Sequence, residues 1–145
     1  MSLMSLRNEG KVAIISMDNG KNANNLEFSR QLLSLLKQAE EEKSNKALIL
    51  TSSDEKNWSQ GIDVPWMMGS IQSGNHDDVK EFLHTMDACY TVMMQYPMPI
   101  IAAINGHTFG NACVLACACD FRFMRSDRGF FCFPEVDMSV PFLPG

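Results

Sequence analysis

Two short runs made almost entirely of apolar residues, 46–51 (KALILT) and 100–104 (IIAAI), set the strongest limit on how this chain can fold. A strand that is apolar on both faces needs cover on both faces, the condition met by a parallel sheet between helices. The chain supplies such cover ahead of the first run. Between residues 26 and 43, Phe28, Leu32, Leu35, Leu36 and Ala39 recur on one face at helical spacing, with charges gathered at the far end. Residues 11–17 (KVAIISM) are rich in β-branched side chains and lie between Gly10 and the turn-forming Asp18-Asn19-Gly20, so they read as a strand. Strand, helix, strand begins a crossover unit whose two strands share a sheet. Asn24 and Glu27 stand at capping-box spacing at the start of the helix.

The alternation continues along the chain. Residues 52–60 are polar and turn-rich, and residues 64–75 mix Gly, Pro and Met without clean periodicity, as in a loop with at most a short helix. From residue 76 to 95 an apolar stripe returns through Val79, Phe82, Leu83, Met86, Tyr90, Met93 and Met94, and Pro97 and Pro99 stop that helix. Asn105-Gly106-His107 makes a turn, and residues 110–118 form an apolar, hence buried, helix. Residues 120–125 (DFRFMR) alternate as a strand does, and residues 129–133 read as another.

A length of 145 residues suits one domain with a sizeable core. The formal net charge of −5 argues against non-specific nucleic-acid binding, which needs a basic surface. No apolar stretch, residues 99–104 included, approaches the length needed to span a membrane, and no secretory signal pattern is visible. Residues 1–3 repeat as a tripeptide and are expected to be an expression scar ahead of a domain running from residue 4 to residue 145. The five cysteines, at 89, 113, 117, 119 and 132, are an odd number, which favours free thiols in a reducing compartment. Cys113, Cys117 and Cys119 lack the spacing of structural zinc ligands, so no metal is expected.

Two segments are candidates for chemistry. In Ser59-Gln60-Gly61-Ile62-Asp63 a glycine lets a ligand approach the main chain, and Asp63 can cap a following helical turn. The second segment, residues 104–113 (INGHTFGNAC), leads from a buried strand into a helix N-terminus, where free N–H groups favour negative charge. Two N–H groups converging on one oxygen would make an oxyanion hole. On periodicity alone, both segments read better as ordinary strand-to-helix turns, in which lone glycines are common.

The residues of these segments, together with the run Pro99-Ile100-Ile101-Ala102-Ala103-Ile104-Asn105-Gly106, the helix ending in Cys119-Asp120, and Phe131-Cys132-Phe133-Pro134-Glu135, resemble in order and spacing the crotonase, or enoyl-CoA hydratase/isomerase, family. The likeness extends over nearly the whole chain from Gly10. It implies an α/β fold, a superhelix of repeated ββα units, with the family's C-terminal helical lid and trimerisation region absent from the chain. It places the oxyanion donors at the backbone amides of Ile62 and Asn111 and a catalytic carboxylate at Glu135. It also implies substrate contacts at Asn22, Ala23, Gln60, Gly61, Gly110, Val114 and Phe133. The implied partner is an acyl-CoA thioester, with coenzyme A as part of the substrate and no separate cofactor, and the implied assembly is a homotrimer or a dimer of trimers. A cytoplasmic location is expected if the source is bacterial, with a peroxisome or mitochondrion as the other settings.

Two departures from the family pattern matter. The usual glycine run reads Gly110-Asn111-Ala112 here, and any residue but proline can still offer a backbone N–H. Hydratases of the family resemble one another in carrying two glutamates, and the first of those positions is Val114 here. Valine neither orients a water nor gives a proton. Moving a double bond from C3–C4 to C2–C3 needs only one base, and the loop pattern 134–138 is similar to that of the single-glutamate isomerases. The expected function is therefore Δ3-Δ2-enoyl-CoA isomerisation in fatty-acid metabolism. The alternatives are another reaction of the family, hydration or thioester hydrolysis, and a non-catalytic acyl-CoA-binding or assembly module. Asp120 is expected to be a structural acceptor, His107 to be packed, and His76 and His84 to face solvent. Met67, Met68, Met86 and Met93 are candidates for a flexible acyl pocket, although most methionines are core.

Overall fold

The computed structural model describes residues 2–137 and 139. Met138 of the expected 134–138 loop, and the expected end of the domain at residues 140–145, lie outside the described residues.

Twelve elements follow one another: β1 (Met4–Glu9), β2 (Val12–Met17), α1 (Leu26–Glu41), β3 (Ala47–Ser52), β4 (Asn57–Ser59), α2 (Val64–Gln72), α3 (His76–Met94), β5 (Ile100–Ile104), β6 (His107–Phe109), α4 (Asn111–Cys117), β7 (Phe121–Met124) and β8 (Phe131–Cys132). They build two sheets. The larger has the order β1-β2-β3-β5-β7, antiparallel only at β1–β2, and the smaller is the parallel set β4-β6-β8. From β3 onward the chain spirals: each turn lays one strand in the large sheet (β3, β5, β7) and the next in the small one (β4, β6, β8), with helix between turns. This is the repeated ββα path the resemblance implies.

The apolar runs behave as their composition requires. Leu48, Leu50, Ile100, Ala102 and Ile104 are buried in the centre of the large sheet. One face of α1 covers them with Phe28, Leu32, Leu36 and Ala39, while Leu35 is only half-buried at the edge of that face. Helix α3 packs over the first turn of α1, where the small Ser29 lets the Cys89 thiol reach its carbonyl at 3.5 Å. At the far side, Phe121 and Phe123 of the edge strand β7 are exposed.

Several expectations are corrected. The N-cap of α1 is Asn25, whose side chain accepts from Phe28 N; Asn24, expected to cap, is buried and bonds elsewhere. The helix ends at Glu41 rather than residue 43. Residues 64–75 contain a full helix, α2, because Asp63 caps it through Trp66 N and Pro65 suits its first turn. The turn-rich stretch 52–60 contains strand β4, and His107, expected in a turn, opens strand β6. Leu3 does not stand outside the fold: its carbonyl accepts from Asp18 N, its N–H donates to Gln31, and its side chain packs on the core. Asp120 accepts from Ile100 N at 2.8 Å, the structural role expected of it. His107 stacks between Phe109 and Phe130.

Candidate functional site

The small sheet gathers the candidate residues. Its three strands are parallel, so their carboxyl ends lie along one edge. Each strand leads directly into one of the expected site segments: β4 into Gln60-Gly61-Ile62, β6 into Gly110-Asn111, and β8 into Phe133-Pro134-Glu135. Ligands in parallel sheets bind at such carboxyl ends.

Gly61 (φ +76°) and Gly110 (φ +56°) hold the first two segments together. Gly61 lies so close to the β6–α4 turn that an added Cβ would overlap the Phe109 carbonyl and stand 3.1 Å from Asn111 N. From bond lengths, Ile62 N is then no more than about 7 Å from Asn111 N. The direction of the Ile62 N–H is set by its neighbours. Asn24 forms a parallel bridge with Ile62, in which Asn24 N donates to the Gly61 carbonyl (2.7 Å) and Asp63 N donates to the Asn24 carbonyl (2.9 Å). In that pattern Ile62 N–H points away from Asn24. Asn111 opens α4, so its N–H is one of the helix's first, unpaired donors. Neither N–H is engaged by any described residue.

Glu135 meets the same turn from the third strand. An added Cβ on Gly110 would stand 2.7 Å from Glu135 Oε1, so the carboxylate rests against the bare Cα of the glycine that starts α4. Oε2 is buried and has no hydrogen-bond partner among the described residues. Val114 is half-buried in the first turn of α4, and its N–H reaches back to the Gly110 carbonyl. Phe133 stands edge-on to Phe131.

The other expected contacts fare differently. Gln60 is exposed beside Gly61 with its amide held by Asn57. Asn22, expected as a substrate contact, is fully buried: its Oδ1 accepts from Asn19 N and its Nδ2 donates to Ser52 Oγ and the Trp58 carbonyl. Nothing of Asn22 is left to meet a ligand; it locks a turn in which it holds a positive φ of 48°. Ala23 next to it is half-buried. Met86 and Met93 are core residues, whereas Met68 is exposed on α2.

Two residues of the site were not singled out from the sequence. The Tyr90 hydroxyl donates to Asn111 Oδ1 at 2.6 Å, and Asn111 Nδ2 donates to Asn24 Oδ1 at 3.0 Å. Burial holds the Tyr90 hydroxyl well above the ordinary phenol range, against the opposing pull of its bond to Asn111. It is a protonated donor near neutral pH. Tyr90 had appeared only as one member of a helical stripe, and Asn24 only as a cap.

Residues 7–140 match the family model described as enoyl-CoA hydratase/isomerase. The chain belongs to that family. It is 34% identical over 114 residues to enoyl-CoA delta isomerase 3 of Arabidopsis thaliana, covering 76% of this chain and 46% of the relative. It is 28% identical to the short-chain-enoyl-CoA hydratase of Clostridium acetobutylicum, over 93% of this chain and 51% of the relative. Among solved structures, an enoyl-CoA hydratase from Bacillus anthracis superposes with a TM-score of 0.84 at 27% identity, covering 96% of this chain and 53% of the other. The chain thus spans about half the length of the relatives it matches. Isomerases and hydratases stand at similar identity, so membership gives the family and leaves the activity to be argued from the residues of the site.

Proposed function

We propose that the protein isomerises 3-enoyl-CoA to 2-enoyl-CoA. The observation that carries this reading is the placement of Glu135, one carboxylate against the Gly110 turn with a buried Oε2 that has no partner among the described residues, where Val114 stands at the family's other glutamate position. In the proposed reaction Glu135 takes a proton from C2 of the acyl chain, and the C–H electron pair passes into the thioester carbonyl to give a dienolate. The amides of Ile62 and Asn111 donate to the enolate oxygen. Each such donor is worth roughly 3–4 kcal/mol in the transition state. The protonated Glu135 then returns its proton at C4, the double bond settles between C2 and C3, and the carboxylate is regenerated. Atoms and charge balance with no external acid, base or water. Hydration would need a second group to orient water on the side of Val114, and a valine offers none.

The test is turnover of 3-enoyl-CoA by the whole protein, followed through the ultraviolet absorbance of the conjugated product, for wild type and Glu135→Gln. The variant should lose turnover while its affinity for a saturated acyl-CoA stays the same. A wild-type protein that hydrates 2-enoyl-CoA but leaves 3-enoyl-CoA untouched would overturn the reading.

A further inference from the structure

The turn that carries the second donor holds an asparagine where the family pattern has glycine, and the structure gives that side chain two anchors. We infer that Tyr90 and Asn24 are positioning residues that clamp the Asn111 side chain and thereby aim its backbone N–H at the substrate oxygen. The inference rests on the oxyanion reading above and deepens it.

The bonding order of the clamp is fixed from one end. The Asn22 carbonyl can only accept, so Nδ2 of Asn24 must face it (3.1 Å), with Ser59 Oγ as a second acceptor at 3.3 Å. Asn24 Oδ1 is then turned to Asn111 and requires a donor there, which is Asn111 Nδ2. Asn111 Oδ1 is left to accept, and Tyr90, 21 residues earlier on α3, donates to it. Every atom of the chain has one role available, so the Asn111 side chain has one orientation. Its rotation would break two bonds at once, both partly buried, where unpaired polar atoms are costly.

Asn24 does a second thing. The same residue whose side chain receives Asn111 has its main chain bridged to Ile62 through Gly61 and Asp63. One buried residue therefore ties the segment of the first donor to the segment of the second. Ser59 adds to the tie, accepting from Gly61 N at 3.3 Å while donating to the Asn22 carbonyl at 2.7 Å. With a glycine at position 111 no side chain would need holding. With asparagine, the side chain becomes the handle by which the amide is set.

Steady-state kinetics of the whole protein with 3-enoyl-CoA test this, using Tyr90→Phe, Asn111→Gly and the double variant. Removing the Tyr90 hydroxyl should lower kcat about tenfold, the equivalent of one net hydrogen bond, with KM changed less than about twofold. In the Asn111→Gly background the same removal should change kcat by less than about twofold, because nothing is left to clamp. An equal kcat loss from Tyr90→Phe in both backgrounds, or no loss in the first, overturns the clamp. Glu135→Gln separates the two claims: if it abolishes turnover while Tyr90→Phe is silent, the clamp falls and the isomerase reading stands. Hydrogen exchange decides the clamp even if 3-enoyl-CoA proves not to be a substrate. Tyr90→Phe should speed exchange of the amides of Cys113 and Val114, both bonded to the Gly110 carbonyl, about tenfold and leave β3 and β5 unchanged, and unchanged exchange at 113 and 114 overturns the inference.

Discussion

Replacing Gly61 by alanine probes the contact that brings the two candidate amides together, and Gly20 supplies an internal control. Both glycines hold left-handed backbone, φ +76° at Gly61 and +58° at Gly20. An added Cβ at Gly20 has nothing within 4 Å, whereas at Gly61 it overlaps the Phe109 carbonyl and presses on Asn111 N. Alanine at either position carries the strain of a left-handed L-residue, about 1–2 kcal/mol. At Gly61 the neighbour is main chain inside the β6–α4 turn and cannot swing aside, so an overpacking cost of about 1–3 kcal/mol is added. The expected losses are therefore about 1–2 kcal/mol for Gly20→Ala and about 2–5 kcal/mol for Gly61→Ala. Urea denaturation of the two variants and wild type measures this directly, with unchanged slopes showing that midpoints can be compared. What relief Gly61→Ala finds must move Phe109 and Asn111 away from Ile62, and an ångström of such displacement costs about a hundredfold in rate. Gly20→Ala, remote from that turn, should keep wild-type kcat. If the two variants differ by less than about 0.5 kcal/mol, the close approach of Gly61 to the turn is refuted.

Gly110→Ala should separate stability from activity: its Cβ meets the far end of a flexible side chain, Glu135 Oε1, which can yield. The stability cost should stay near the strain of its backbone (φ +56°, ψ −125°), about 1–3 kcal/mol, while kcat falls about a hundredfold as the carboxylate is displaced; a normal kcat would show that Glu135 does not work from that position. Burial pushes the thiols of Cys89 and Cys119 up to about 12, and Cys117 is exposed. Brief alkylation of native protein near neutral pH, mapped by mass spectrometry, should label Cys117 and spare Cys89 and Cys119; labelling of Cys89 as fast as Cys117 would contradict the packing of α3 on α1. Because these two thiols are raised from an ordinary 9.0, they favour the folded state fully below pH 9.0, and that contribution is lost as pH rises towards about 12. Thermal midpoints should therefore fall through this alkaline window and fall less in a Cys89→Ala, Cys119→Ala variant; equal slopes would contradict the assignment.

The large sheet apart from β1, and the helices α1, α3 and α4, were legible in the sequence because their signals are local and repeated. The apolar runs 46–51 and 100–104 are β3 and β5, and the stripe from Phe28 to Ala39 is the buried face of α1. Of the small sheet only β8 was legible, inside the expected strand at residues 129–133. Strands of two or three residues, such as His107–Phe109, carry no periodicity, and what makes them strands is pairing with segments far away in the chain. At the site, the glycines and Glu135 could be placed from the order of motifs. The clamp on Asn111 could not, since its partners stand 87 and 21 residues away and neither spacing has a local signature. Asn22 was misplaced for a related reason: a polar residue in a turn looks the same in sequence whether it faces solvent or fills the interior.

The same short strands explain why the interior near the site is polar. Large-sheet strands are fixed by long ladders and by apolar cover, but β4, β6 and β8 have too few ladder bonds to fix their own register. Side chains make up the difference. Ser52 Oγ donates to the Asn57 carbonyl, Asn105 Nδ2 donates to the carbonyls of Ser52 and Asp54, and Asp54 receives the N–H groups of Lys56 and Asn57. Asn22 and Asn24 carry the same scheme to Trp58, Ser59 and Asn111. An apolar filling would cost less to bury, but it would leave each main-chain turn free to slide by fractions of an ångström. Backbone amides cannot be re-aimed by a rotamer change as a side-chain donor can. A site that uses them must set the main chain itself, and directional hydrogen bonds from Asn and Ser side chains are the means this chain has for doing so.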